Sequence, residues 1–305
     1  MRARYSAAVV CAVAALAAVA ACSADARTGP SAADLPVDRV ADEVFQAGNI
    51  SLIEYAKNKL TADCMARNGF PQLAQVGVHQ NPEPFSDMNV QPPLFAQRSA
   101  EQARLLGFGE NEPSEAAHVL SSDPGFDRHL TGCFTEAAQT LGAELNEVQA
   151  QSYQLYNDIA DERDKLLASP EETAVTDALL RPMLACVEGK GFHQIKSGAR
   201  TLDTFGIGYP SGTYQGAEPP APKRLPGSVE IVAAKPERRY VPSAAEARLA
   251  VAATECAQLT KFGSGITNQR IRLLRKAMGE HDTQIAELRP KVEKVAKAAA
   301  QVVGR

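Results

Sequence analysis

Between residues 53 and 64 apolar side chains recur at every third or fourth position. Ile53, Ala56, Leu60 and Cys64 thereby mark the buried face of a helix. Asn49 stands where its cap would be, and Gly69 where a helix stops. A shorter helix is expected before it over 37–46. After it, Pro71, Pro82, Pro84, Pro92 and Pro93 exclude regular helix from a stretch long for a loop. The spacing then predicts a short helix over 99–106. Asp123-Pro124, a cap and a first-turn proline, opens a helix carrying Leu130, Cys133, Phe134, Ala137 and Leu141. A polar helix follows over 145–168, and Ser169 caps another over 171–190, with Glu172 supporting its first turn and Pro182 expected to kink or split it.

From residue 196 to 242 Gly and Pro dominate, with one candidate strand at 229–232. Ser243, with Glu246 three residues on, forms a capping-box pattern for a helix reaching Phe262. The last helix is expected over 266–303, with Leu274, Met278, Ile285, Leu288, Val292, Val295 and Ala299 on one stripe and a bend at Pro290. These elements predict an all-α protein in which each long polar helix pairs with the helix before it as an antiparallel hairpin. Composition agrees: Trp is absent, aromatic residues make up 6%, and Ala is abundant, which suits helices packed through small side chains better than a sheet-rich fold.

The first residues read differently. Arg2 and Arg4 precede an almost unbroken run of Ala, Val and Leu that ends in Val19-Ala20-Ala21-Cys22. That is the layout of an export signal, and the run is too short for a comfortable membrane span of about 20 residues. The quartet resembles the bacterial lipobox, in which the cysteine is acylated and becomes the new N-terminus; the rival is an ordinary leader cut near Asp25. The expected organisation is a signal peptide over 1–21, a lipidated Cys22, a small polar tether over 22–36, and the folded part beyond. Without the two leader arginines the net charge of −4 becomes −6, with both signs interspersed, so nucleic acid is not an expected partner.

Of the six cysteines, Cys11 would leave with the leader and Cys22 would carry lipid. Cys64, Cys133, Cys186 and Cys256 remain, an even number in an oxidising compartment, and two disulfides are expected. No two of the four lie at the short spacing of a metal knuckle, so no metal site is expected. Their order carries a repeat. Cys64 is followed by four spacers, Gly69-Phe70, one residue and Gln72; Cys186 by four spacers, Gly191-Phe192, one residue and Gln194. Cys64 to Cys186 is an offset of 122, and Cys133 to Cys256 one of 123. Each half also carries a Gly-x-Gly turn, Gly107-Phe108-Gly109 and Gly206-Ile207-Gly208. The chain therefore reads as two duplicated, disulfide-stapled helical units over 37–169 and 170–305, joined into one bundle with long Pro/Gly-rich loops. Duplication favours pairing within each unit, Cys64 with Cys133 and Cys186 with Cys256, while the crossed pairings stay open. Each staple would contribute about 4 kcal/mol in the chain-entropy account.

Little in the chain points to chemistry. His79, His118, His129, His193 and His281 include no helical metal pair and no base beside a cysteine nucleophile. The Gly-x-Gly turns lack the preceding strand and further glycine of a phosphate loop. Asp158, Asp161, Glu162 and Asp164 interleave with Arg163 and Lys165 as on a solvated helix face. Phe70 and Phe192 are expected to pack beside the disulfides, the rival reading being that the Pro-rich segment after each forms a binding ledge. No catalytic residue and no cofactor are expected.

The Cys-x-x-x-x-Gly-Phe element and the Ala-rich segment from Ala247 to Cys256 resemble segments of poorly characterised secreted lipoproteins of high-GC Gram-positive (actinobacterial) bacteria. The resemblance implies anchorage on the outer face of the cytoplasmic membrane and brings no catalytic residues. The expected role is a non-enzymatic binding or scaffolding module of the cell envelope. Its partners would be the membrane, reached through N-terminal lipid, and an envelope protein or the cell wall. The competing expectation is an envelope hydrolase with its site in the long loops.

Overall fold

The structure is a computed structural model that describes residues 39–81, 83–216, 222 and 225–304. The leader, Cys22, the tether and the first two residues of the expected 37–46 helix lie outside the described residues. Eleven α-helices are present among them: α1 (Val40–Glu43), α2 (Ala47–Arg67), α3 (Gln72–Val76), α4 (Leu94–Gln97), α5 (Ala100–Leu106), α6 (Pro124–Leu141), α7 (Leu145–Leu167), α8 (Pro170–Gly189), α9 (Ala244–Leu259), α10 (Phe262–Glu280) and α11 (Asp282–Val303). None of the described helices is long and apolar enough to cross a membrane.

The fold is mostly helical but not purely so. Strand β1 (His118–Ser121) pairs antiparallel with β3 (Val229–Val232), His118 opposite Val232 and Ser121 opposite Val229. Strand β2 (Thr213–Gln215) pairs with β4 (Arg239–Val241), Thr213 opposite Val241. Bridges at Glu112–Arg238 and Glu115–Lys235 extend the contact, each backed by an ion pair between the same side chains. The correction to an all-α fold has a physical reason: the segment between α5 and α6 satisfies part of its backbone on the second Pro/Gly-rich connection, which also pairs with itself through β2 and β4. Of these strands the sequence marked only 229–232. The others, three or four residues long, each hold a single β-branched residue, where β3 has Val229, Ile231 and Val232.

Several helix ends differ from the sequence reading. Helix α2 begins two residues before Asn49, capped by Gln46 in the left-handed region (φ 51°), and Asn49 Nδ2 donates to Gln46 Oε1 at 2.7 Å. Pro182 does not split α8: the proline is exposed, while Leu180, Met183, Leu184 and Val187 bury the other face. The last stripe belongs to two helices, α10 and α11, divided at His281. Helix α10 starts at Phe262 because Gly263 and Gly265 are packing residues. A Cβ on Gly263 would lie 2.9 Å from Ala96 Cβ, and one on Gly265 2.6 Å from Leu179 Cδ2. In the sequence, these glycines fall between the helix reaching Phe262 and the one expected from 266.

Two large apolar cores organise the chain. The first joins Val40, Phe45, Ile50 and Ile53 to Leu145, Val148, Leu155 and Ile159 of α7, and to Met278, Ile285, Leu288 and Val292 of α10 and α11. The second joins Phe95, Ala103 and Phe108 to Met183, Leu184 and Val187 of α8, and to Ala250, Ala253 and Ala257 of α9. Each core draws side chains from both sides of position 170, so no core ends there. Nor do the long helices pair chiefly with their predecessors: α11 lies along α2, and α7 lies along α10 and α11. The faces that bury Leu155 and Leu288 dictate this pairing, and short connections do not override it. A third, smaller cluster holds Cys64, Met65, Phe126 and Cys133, with Phe70, Val119 and Val229 packed on it.

Candidate functional site

Both Cys-x-x-x-x-Gly-Phe elements fold into the same helix ending. Gly69 and Gly191 each take φ of +88°. Gly69 N donates to Ala66 O and Phe70 N to Met65 O; Gly191 N donates to Glu188 O and Phe192 N to Val187 O. This is the Schellman pattern, which needs a residue without Cβ penalty at the glycine and favours an apolar residue after it. Cys64 is bonded to Cys133 and Cys186 to Cys256, with Cα atoms 5.6 and 5.7 Å apart. Phe70 packs beside the first disulfide and Phe192 on the core that contains the second. The glutamines that end the two elements diverge: Gln72 opens α3, and Gln194 Nε2 donates to Gly198 O.

The surroundings of the two phenylalanines also differ. Phe70 meets Phe126 edge-on at 5.4 Å between ring centroids and lies against His129 at 5.5 Å. At the offset of 123 that relates Cys133 to Cys256, Phe126 corresponds to Leu249 and His129 to Ala252. Ala252 and Phe192 both line an open groove. It has a volume of about 420 Å³ and runs between α5, α9 and the turn after α8, its floor formed by Phe192, Val251 and Ala252. That volume lies within the ordinary range of ligand sites.

Its rim is cationic. Lys190 Nζ sits 2.7 Å from Glu255 Oε2 and is neutralised by it. Arg104 and Arg248 also line the groove, and neither forms an ion pair or ring contact among the described residues. Sequence reasoning missed both arginines. The available signal was on α9, where Arg248, Val251, Ala252 and Glu255 recur at three and four as one face of mixed polarity in an Ala-rich helix.

Behind α9 lies a buried polar cluster that shapes the same region. Ser243 Oγ accepts from Glu246 N, but the Glu246 carboxylate does not complete the capping box. Its Oε1 accepts from Phe108 N at 2.8 Å, and its Oε2 from Ser211 N and Tyr240 Oη, each at 2.8 Å. Burial raises the Glu246 pKa, and these hydrogen bonds outweigh it, holding the carboxyl below its ordinary value. Burial and the same carboxylate push Tyr240 upward. Buried Arg98 donates to Gly107 O at 2.5 Å and Gly109 O at 2.6 Å. The Gly-x-Gly turn, the segment before β2, strand β4 and α9 are thus tied at one carboxylate whose oxygens are all engaged.

The remaining sequence candidates are dispersed. His118 lies on β1, His129 on α6, His79 and His193 in connections, and His281 between α10 and α11, where its Nδ1 is 2.5 Å from Gln284 Oε1. Asp158, Asp161, Glu162 and Asp164 are on α7, where Asp158 accepts from Gln154 and Asp164 from Arg163. No group of three or more His, Cys, Asp or Glu side chains that could hold a metal ion occurs among the described residues. No protein-family model, curated protein or solved structure matches the chain.

Proposed function

We propose that this protein is an exported lipoprotein, anchored through Cys22 to the outer face of the cytoplasmic membrane, and that it serves there as a non-enzymatic binding or scaffolding module of the cell envelope. The observation that carries the reading is the charged, apolar leader closing on Val19-Ala20-Ala21-Cys22. Two disulfides suit folding in an oxidising compartment. The engagement of Glu246 in four hydrogen bonds suits a carboxylate that holds segments together rather than one that moves protons. The groove over Phe192 supplies a concave face with unpaired charge. We further read the chain as a duplicated unit, each copy a glycine-capped helix stapled to the second cysteine-bearing helix, with the second copy opened into a groove.

The test is metabolic labelling with a radioactive fatty acid in a bacterial host, followed by membrane fractionation. The native chain is expected to carry label and sediment with membranes, and Cys22→Ser to lose both properties. Label retained by the Cys22→Ser chain would sink the anchoring.

A further inference from the structure

The groove between α5, α9 and the turn after α8 combines an apolar floor with two guanidinium groups that nothing in the described fold neutralises. The floor is apolar, with Val251, Ala252 and Phe192. Its main wall is a helix whose backbone donors and acceptors are spent within α9, so an extended peptide laid in the groove would find no main-chain partners there. A hydrocarbon chain needs none. The rim asks for an anion: guanidinium groups present paired donors that match phosphate and carboxylate oxygens. Two of them balance a charge of about −2, which a phosphate monoester approaches near neutral pH.

We infer that this groove binds a single-chain lipid with a phosphate-monoester head, the phosphate held between Arg104 and Arg248 and the chain lying along Val251, Ala252 and Phe192. The inference rests on the reading of the protein as a binding module at a membrane, and it specifies what that module takes. It also accounts for the divergence between the two halves. Phe70 has the His129 ring 5.5 Å away, where the offset of 123 puts Ala252 in the second half.

The experiment is isothermal titration of the full chain carrying Cys22→Ser, so that no acyl group of its own competes. The probe is palmitoyl lysophosphatidic acid below its micelle concentration, with palmitate, lysophosphatidylcholine and dodecyl maltoside as comparison ligands. Saturable binding of the lysophosphatidic acid is expected, with the three comparison ligands at least about tenfold weaker. Arg104→Gln with Arg248→Gln, on exposed side chains, should weaken binding by about tenfold or more while leaving the thermal melt in place. Ala252→His, which installs the side chain of the first half, should abolish binding.

Equal binding of palmitate would overturn the phosphate assignment. Equal binding of lysophosphatidylcholine or dodecyl maltoside, no saturable binding, or affinity untouched by the double arginine change would overturn the site. The two proposals fail separately. An unlabelled Cys22 beside intact lipid binding removes the anchor alone, and a labelled Cys22 beside an inert groove removes the ligand alone.

Discussion

Glu172 and Glu246 occupy the same local position, the third residue of a helix whose cap is a serine, Ser169 for α8 and Ser243 for α9. Each serine oxygen accepts from the glutamate backbone N–H. In both cases the carboxylate turns away from the cap to partners distant in sequence. Glu246 is taken up by Phe108, Ser211 and Tyr240. Glu172 accepts from both terminal nitrogens of Arg272, each at 2.7 Å, and from Gln269 Nε2 at 3.0 Å. Ser99 and Gln102 of α5, by contrast, complete a reciprocal capping box. The paired bonds from Arg272, with that from Gln269, bring the Glu172 pKa down from its ordinary 4.5 to about 2. Since the folded value lies below the unfolded one, the contribution of this group is complete above about pH 5 and fades as pH falls from 4.5 to about 2. Urea titrations of the native chain and Glu172→Gln are therefore expected to differ most near pH 6 and to converge toward pH 2. A difference independent of pH over that range would show that Arg272 stabilises by packing alone.

At the scale of elements, the Cys-x-x-x-x-Gly-Phe pattern is a helix ending joined to a staple. The cysteine lies in the last turn of the helix, the glycine reverses the chain, and the phenylalanine returns beside the disulfide. Each staple closes a long loop, of separation 69 for Cys64–Cys133 and 70 for Cys186–Cys256. Loops of that size correspond to about 4 kcal/mol of stabilisation through the unfolded chain. Replacing Cys186 and Cys256 together by serine is expected to lower the free energy of unfolding, measured by equilibrium urea denaturation, by up to about 4 kcal/mol. A loss under about 1 kcal/mol would mean that the core around Met183 and Ala253 holds these helices without the bond. Either ending could be recognised in the sequence because its chemistry is local: only glycine takes φ of +88° without strain. The helical glycines Gly263 and Gly265 could not, because what they avoid is a collision with Ala96 and Leu179, far away in the chain.

Over the whole molecule, neither large core is confined to one side of position 170. The first core closes α1, α2 and α7 over α10 and α11, and the second closes α4 and α5 over α8 and α9. Segments 39–169 and 170–304 expressed apart would each expose the apolar face that the other covers. Neither is expected to show a cooperative melt by circular dichroism, and a mixture or a co-expressed pair is expected to regain one. A cooperative melt of either segment alone would establish that each unit folds independently.

What the sequence determined by itself was local or periodic: the helical character of the chain, the Ser, Asp and Gly signals at helix ends, the four cysteines of the folded part, and the apolar stripe shared by α10 and α11. These depend on side chains within a turn or two of one another. Tertiary structure decided where each helix lies, which polar groups share a site, and which side chains line the groove beside Phe192. Arg104 and Arg248 illustrate the limit. They are 144 positions apart and line one groove only because α5 packs on α9, and that packing comes from burial of Ala103 and Phe108 against Ala250 and Ala253. Burial of apolar surface is non-directional and leaves no mark at short range, so no spacing along the chain announces the pairs of residues it brings together.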